Sequence, residues 1–258
     1  MTVDPRALGS RHTAGGRVSP EEWRTRVDLA ACYRLVAYYD MTDLTFTHIS
    51  ARVPGDDGSF LLNPYWVMFE EITASSLVKL DGDGRVVGET PYDYNPAGYT
   101  IHSAVLAGRP DVSCVLHTHT RAGMAVSAQE GGLLPLTQTS LRFHDRLAYH
   151  DYEGAALDLD ERPRLVRDLG DKGAMILRNH GLLTAGRTIP EAFVLMHRLE
   201  SACRAQLDAQ ASGAPLSLIS REVADHAARQ GQATNRPAGE EWPSLLRLLD
   251  RLDPSYRT

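Results

Sequence analysis

Apolar side chains recur at Trp23, Val27, Ala30, Ala31, Leu35 and Tyr38, the spacing of one face of an α-helix. Ser19-Pro20-Glu21-Glu22 stands just ahead of them. Serine as cap and proline in the first turn mark a helix start, so the pattern predicts a helix from residue 20 to about Tyr39. The apolar runs then shorten. Thr47–Val53 and Ser59–Asn63 flank the turn Pro54-Gly55-Asp56-Asp57-Gly58, and Ser75–Asp81 and Arg85–Glu89 surround the turn Asp81-Gly82-Asp83-Gly84. That arrangement predicts an antiparallel meander. Residues 97–107 read as a helix, Val112–His117 as a buried strand, Arg121–Glu130 as a helix, 131–161 as irregular and 162–169 as helical. Ala174–Leu177 reads as a strand running into Arg178-Asn179-His180-Gly181. From Pro190 to about Ala211, positions Ala192, Phe193, Met196, Leu199, Cys203 and Leu207 share one helical face. Mixed strands, helices and hairpins predict an α/β sandwich around a largely antiparallel sheet.

The ends of the chain follow another pattern. Residues 1–19 are rich in Gly, Ser and Arg without periodicity and read as a flexible arm, while 216–258, two amphipathic pieces around a Pro-Ala-Gly linker, read as a C-terminal helical extension suited to an oligomer contact. Residues 20–215 are left as one domain. With 258 residues, 43% of them apolar, the chain buries roughly three quarters of its unfolded surface without needing disulfides. Cys32, Cys114 and Cys203 agree: they are odd in number, widely spaced and set in apolar stretches, which predicts reduced thiols in a cytoplasmic protein. No apolar run approaches the roughly 18 residues of a membrane span, and the first residues lack a signal peptide's apolar core. A net charge of −6 with no basic block argues against a nucleic-acid partner and favours small-molecule chemistry.

That chemistry starts at Val115-Leu116-His117-Thr118-His119, where an apolar strand ends in two histidines spaced i and i+2. On a strand such side chains share a face and can hold one metal ion, although two histidines hydrogen-bonded at a strand end give the same pattern. Arg178-Asn179-His180-Gly181 repeats the theme, a second apolar strand ending in a histidine before a glycine. Three imidazoles at the ends of two strands form an open site with room for water and substrate.

These motifs, together with Asn95-Pro-Ala-Gly-Tyr-Thr-Ile-His102, the run from Ala107 to His117, Ala148-Tyr-His-Asp-Tyr152-Glu-Gly154 and Leu177-Arg-Asn-His-Gly-Leu182, resemble the class II aldolase and adducin head-domain family, the adducin head and its bacterial relatives most closely. The resemblance covers about residues 20–215. It implies a three-layer α/β/α sandwich around a mixed, largely antiparallel sheet. It also implies one divalent transition metal (Zn2+ or Fe2+, with Mn2+ or Co2+ as further candidates) on His117, His119 and His180, and a homotetramer with sites near subunit contacts.

The departures are as informative. The resemblance places an acid–base glutamate of the aldolases at Gly98, and glycine cannot transfer a proton. His48 stands where an asparagine is expected, Asn63-Pro64-Tyr65-Trp66 replaces a small turn, and Asn95-Pro96-Ala97 replaces paired serines. The small residues of a phosphate cradle are therefore missing. His48, Asn63, Tyr65, Trp66 and Gly98 are the candidate substrate-binding positions, with core packing the alternative for Tyr65, Trp66 and Phe69. For proton transfer the candidates are Tyr152 first and His144 second, within a segment that also holds Arg142, Asp145, His150, Asp151 and Glu153. His102 is expected to pack behind the site, and Glu70 and Glu71 to be solvated first-turn carboxylates. Three neutral imidazoles leave a divalent ion its full charge, which suits an anionic substrate.

Together these point to a metal-dependent lyase, performing aldol-type or decarboxylating cleavage of a small non-phosphorylated acid or carbonyl compound. A mononuclear Fe(II) oxygenase is the first alternative and a non-catalytic adducin-like binding module the second. The chain's end at Asp253-Pro-Ser-Tyr-Arg-Thr258, in place of a Lys-rich tail, weighs against the module.

Overall fold

The computed structural model describes residues 18–56, 58–154, 159–233 and 239–258, so most of the arm expected over 1–19 lies outside the described residues. Helix α1 (Pro20–Tyr38) starts where the sequence places it, because the Ser19 hydroxyl accepts from the Glu22 N–H at 3.0 Å and Pro20 opens the first turn. Then follow β1 (His48–Arg52), β2 (Phe60–Leu62), β3 (Val78–Leu80), α2 (Pro96–Gly108), β4 (Cys114–Thr118), α3 (Arg121–Ser127), β5 (Leu147–His150), α4 (Arg162–Leu169), β6 (Ala174–Leu177), β7 (Gly181–Gly186), α5 (Ile189–Ala211), α6 (Arg221–Ala233) and α7 (Trp242–Leu252).

The strands form one seven-stranded sheet in the order β3-β2-β1-β4-β7-β6-β5, antiparallel except for the β5–β6 pair. Alternation along the strands separates two cores. Leu116, Ile176 and Leu182 pack with α1, α3, α5 and α7 on one face, while Val115, Met175 and Leu183 pack with α2 and α4 on the other. This is the expected three-layer α/β/α sandwich. His117, two residues after Val115, consequently faces the α2 side, and so does His48, its cross-strand partner.

Several boundaries differ from the sequence pattern. Arg85–Glu89 contributes a single-residue bridge, Val86 with Leu80, instead of a strand, because β3 is an edge with nothing beyond it to complete a ladder. Helix α3 stops at Ser127 rather than Glu130; the Gln129 N–H turns back to the Val126 carbonyl, and the side chain of Gln129 is taken up by Gln206 and Gln210 of α5. β5 lies within the stretch read as irregular, and β7 follows His180 where only a turn was expected. Part of the C-terminal extension closes this chain's own core: Trp242, Leu249 and Tyr256 are buried, and the Trp242 indole N–H donates to Asp28 at 3.1 Å. No helix among the described residues is long and apolar enough to cross a membrane.

Candidate metal centre

The end of β4, the start of α3 and the β6–β7 turn meet at one end of the sheet's central strands. β4 carries His117, buried and paired in register with Leu183. His119 follows immediately, before Thr120, whose hydroxyl caps α3 by accepting from the Gly123 N–H at 3.1 Å. His180 sits in the turn, where Asn179 adopts φ 56° and the His180 N–H donates to Leu177 at 3.1 Å. Gly181 makes the approach of the two strands feasible: a Cβ there would lie 2.3 Å from the Thr118 carbonyl oxygen. The Asn-His-Gly sequence thus brings the β6–β7 turn against the end of β4.

The three imidazoles converge through their Nε2 atoms, with His117 to His119 at 2.9 Å and His119 to His180 at 2.9 Å. Two of the remaining nitrogens are committed. His117 Nδ1–H donates to the Leu182 carbonyl at 2.9 Å, and His119 Nδ1–H donates to Asp43 Oδ2 at 3.0 Å. With Nδ1 carrying the proton, the Nε2 lone pairs point at one another, an arrangement that is repulsive unless a cation lies among them. Burial, aided by the neighbouring imidazoles, holds His117 well below the ordinary histidine range and brings His180 down to about 4. Both are neutral at pH 7, the form that binds a metal. The donor set fits a divalent ion.

A second row of histidines lies behind the first. His48 stacks on His117 with ring centroids 5.5 Å apart, its Nδ1 is 3.2 Å from His102 Nε2, and His102 Nδ1 is 2.6 Å from the Ser50 hydroxyl. Burial holds His48 well below its ordinary value and His102 at about 3. His102 thus packs behind the site, as expected.

The other candidates divide. Tyr152 is exposed, its ring 6.3 Å from that of His180. Gly98 lies against His48. Tyr65 and Trp66 stack at 4.0 Å and face outward beside Phe46, whereas Phe69 packs in the core edge-on to Tyr33. Asn63 is buried with its side-chain oxygen accepting from the Tyr33 hydroxyl at 2.9 Å, which commits it to holding a turn. His144 is engaged away from the three imidazoles: its Nε2 is 2.7 Å from Asp225 of α6, beside Asp145 and Arg221. His150, from the same segment, is a buried histidine at the end of β5 between Asp168, 2.8 Å from Nδ1, and Glu161, 3.3 Å from Nε2. Asp43 lies in the connection between α1 and β1, where no motif marks it, and only the fold brings it to His119.

Residues 27–207 match the Class II Aldolase and Adducin N-terminal domain family, and the chain belongs to it. It is 53% identical over 246 residues to a Pseudomonas aeruginosa protein assigned to aldolase class 2, covering 93% of this chain and 95% of that one. It is 40% identical over 250 residues to mouse α-adducin, covering 90% of this chain but 34% of the adducin. Among solved structures, the L-fuculose 1-phosphate aldolase of Glaciozyma antarctica superposes with a TM-score of 0.80 at 28% identity, covering 95% of this chain and 98% of that one. Class II aldolases use a divalent metal.

Proposed function

We propose that this chain is a metal-dependent lyase that cleaves a carbon–carbon bond in a small, non-phosphorylated oxygenated acid or carbonyl compound. The observation that carries this reading is the convergence of three Nε2 atoms, with no carboxylate oxygen of the described residues among them. His117, His119 and His180 would hold one Zn2+ or Fe2+, with Mn2+ or Co2+ as alternatives, and the ion would polarise a substrate carbonyl. The Leu182 carbonyl and Asp43 fix the orientation and tautomer of two of these rings. Tyr152, beside His180, is the phenol placed to move a proton at the substrate. Gly98 supplies no carboxylate for that role, and by the family resemblance Tyr65 and Trp66 take positions where a phosphate cradle needs small residues, which disfavours sugar phosphates. The same three-nitrogen donor set supports a second reading, an Fe(II) oxygenase, and the identity to α-adducin supports a third, a binding module without turnover.

Elemental analysis of protein purified without added metal, followed by product and oxygen-uptake assays on 2-oxo and 2-hydroxy acids, separates the three. Cleavage without oxygen consumption supports the lyase, stoichiometric oxygen uptake replaces it with the oxygenase, and a metal-free protein leaves the binding module. Turnover of L-fuculose 1-phosphate at about 1 per second or faster would return the chain to the sugar-phosphate aldolases. We further propose a cytoplasmic homotetramer. The three buried free thiols support a reducing compartment, and light scattering showing a monomer at micromolar concentration overturns the assembly.

A further inference from the structure

Gly98 is the third residue of α2, and its Cα faces the imidazole of His48 across the α2–β1 contact. A Cβ built there would lie 2.7 Å from His48 Cδ2, 2.9 Å from Cγ and 3.3 Å from Nε2. Carbon–carbon approaches below 3 Å are not tolerated in close-packed interiors. The ring cannot simply swing aside: it stacks on His117, and its Nδ1 is paired with His102, which is itself tied to Ser50. Residue 98 and the His48 ring therefore occupy one space, and the absence of a side chain at 98 is the condition for His48 to stand beside the three converging imidazoles.

Ser50, His102 and His48 form a line of hydrogen bonds that ends at His48 Nε2, which has no partner among the described residues. If the Ser50 hydroxyl donates to His102 Nδ1, and His102 Nε2–H donates to His48 Nδ1, the proton left on His48 lies on Nε2. We propose that His48 is a substrate-positioning residue, admitted by Gly98 and oriented by His102 and Ser50, that donates a hydrogen bond from Nε2 to an oxygen of an anionic substrate. This deepens the proposed function and rests on it for the ligand. In place of an acidic side chain at 98, the chain presents a neutral donor, which removes a charge that would repel a carboxylate.

The test has two arms. The first is a double-mutant thermal cycle on the full chain. Gly98→Ala is expected to lower Tm by about 3 °C or more in the wild-type background, and to be neutral or stabilising in the His48→Ala background, where the space is free. An equal penalty in both backgrounds would overturn the coupling. The second arm titrates glycolate and pyruvate into Zn2+-loaded protein by calorimetry. His48→Phe keeps a ring but removes the donor, and His48→Gln restores an N–H. Binding about tenfold weaker in the first variant, with partial recovery in the second and unchanged metal content in both, is the expected result. Wild-type affinity in His48→Phe would overturn the donor role alone. Failure of loaded wild-type protein to bind either acid would overturn the donor role together with the reading of the site, while the thermal cycle still decides the coupling.

Discussion

Two groups of histidine stand at strand ends of the same sheet, and their partners make them different objects. At the ends of β4 and β6, His117, His119 and His180 turn their Nε2 atoms toward one another, with a carbonyl on the Nδ1 of His117 and a carboxylate on that of His119. At the end of β5, His150 is as buried as His117, but each of its nitrogens meets a carboxylate, Asp168 and Glu161, with Glu153 nearby at 4.0 Å. The first arrangement leaves lone pairs without a proton or cation between them. The second is complete in itself. Residue type is shared, and His117 is as buried as His150, so neither property identifies a functional histidine; what separates the two groups is whether the protein's own groups satisfy both nitrogens.

The comparison breaks first if the converging trio is not a metal site. His117→Ala and His180→Ala should each reduce bound metal from about one per chain to near zero while the chain stays folded, because an open site of three protein ligands does not survive the loss of one. Wild-type stoichiometry by elemental analysis in either variant would refute the assignment. His150→Ala should do the reverse, leaving metal content unchanged while the chain loses roughly 2–4 kcal/mol, since Glu161 and Asp168 are left facing a buried void without their partner. Urea unfolding measures that loss, and a change below about 0.5 kcal/mol would show the cluster to be merely a surface-type pairing.

Asp43→Asn sharpens the contrast within the metal group. It keeps the shape but weakens the grip on His119, and competition with a chromophoric chelator should show affinity lower by about 10–100-fold. Unchanged affinity would mean the carboxylate is incidental.

The smallest effect concerns acid. Burial keeps His102 at about 3 against an ordinary 6.5, so as pH falls the unfolded chain takes up the proton before the folded one does. The stability is therefore fully present above about pH 6.5 and drains away toward pH 3. Wild-type protein should lose up to about 1 kcal/mol per pH unit between pH 6 and 4 through this group. His102→Gln should show a shallower slope in thermal melts across that range; parallel slopes would refute the contribution.

Much of this site was readable from residues because its signals are local. A strand ending in His-Thr-His and a second ending in Asn-His-Gly place imidazoles at strand ends, and the turn chemistry of Asn179 and Gly181 is encoded in the same four residues. Asp43 is not readable, because an aspartate in the short connection between α1 and β1 carries no motif that points to His119, seventy-six residues later. β7 was missed because it follows a turn signal and precedes a helix start with only a short run, Gly181–Gly186, between them. β5 was missed for a related reason: a four-residue parallel strand has no alternation to detect.

By itself the sequence determined where most of the helices begin, which strands are buried and which three histidines stand at or beside strand ends, since capping, hydrophobic period and turn geometry act over a few residues. Tertiary structure alone decided the partners. His48 and Gly98, fifty residues apart, compete for one volume; His150 finds two carboxylates that come from beyond β5; and His144 pairs with Asp225 of a helix near the C-terminus. These are contacts across the sheet and between layers, and hydrogen bonding and excluded volume act on distance in space, which the order of residues along the chain does not encode.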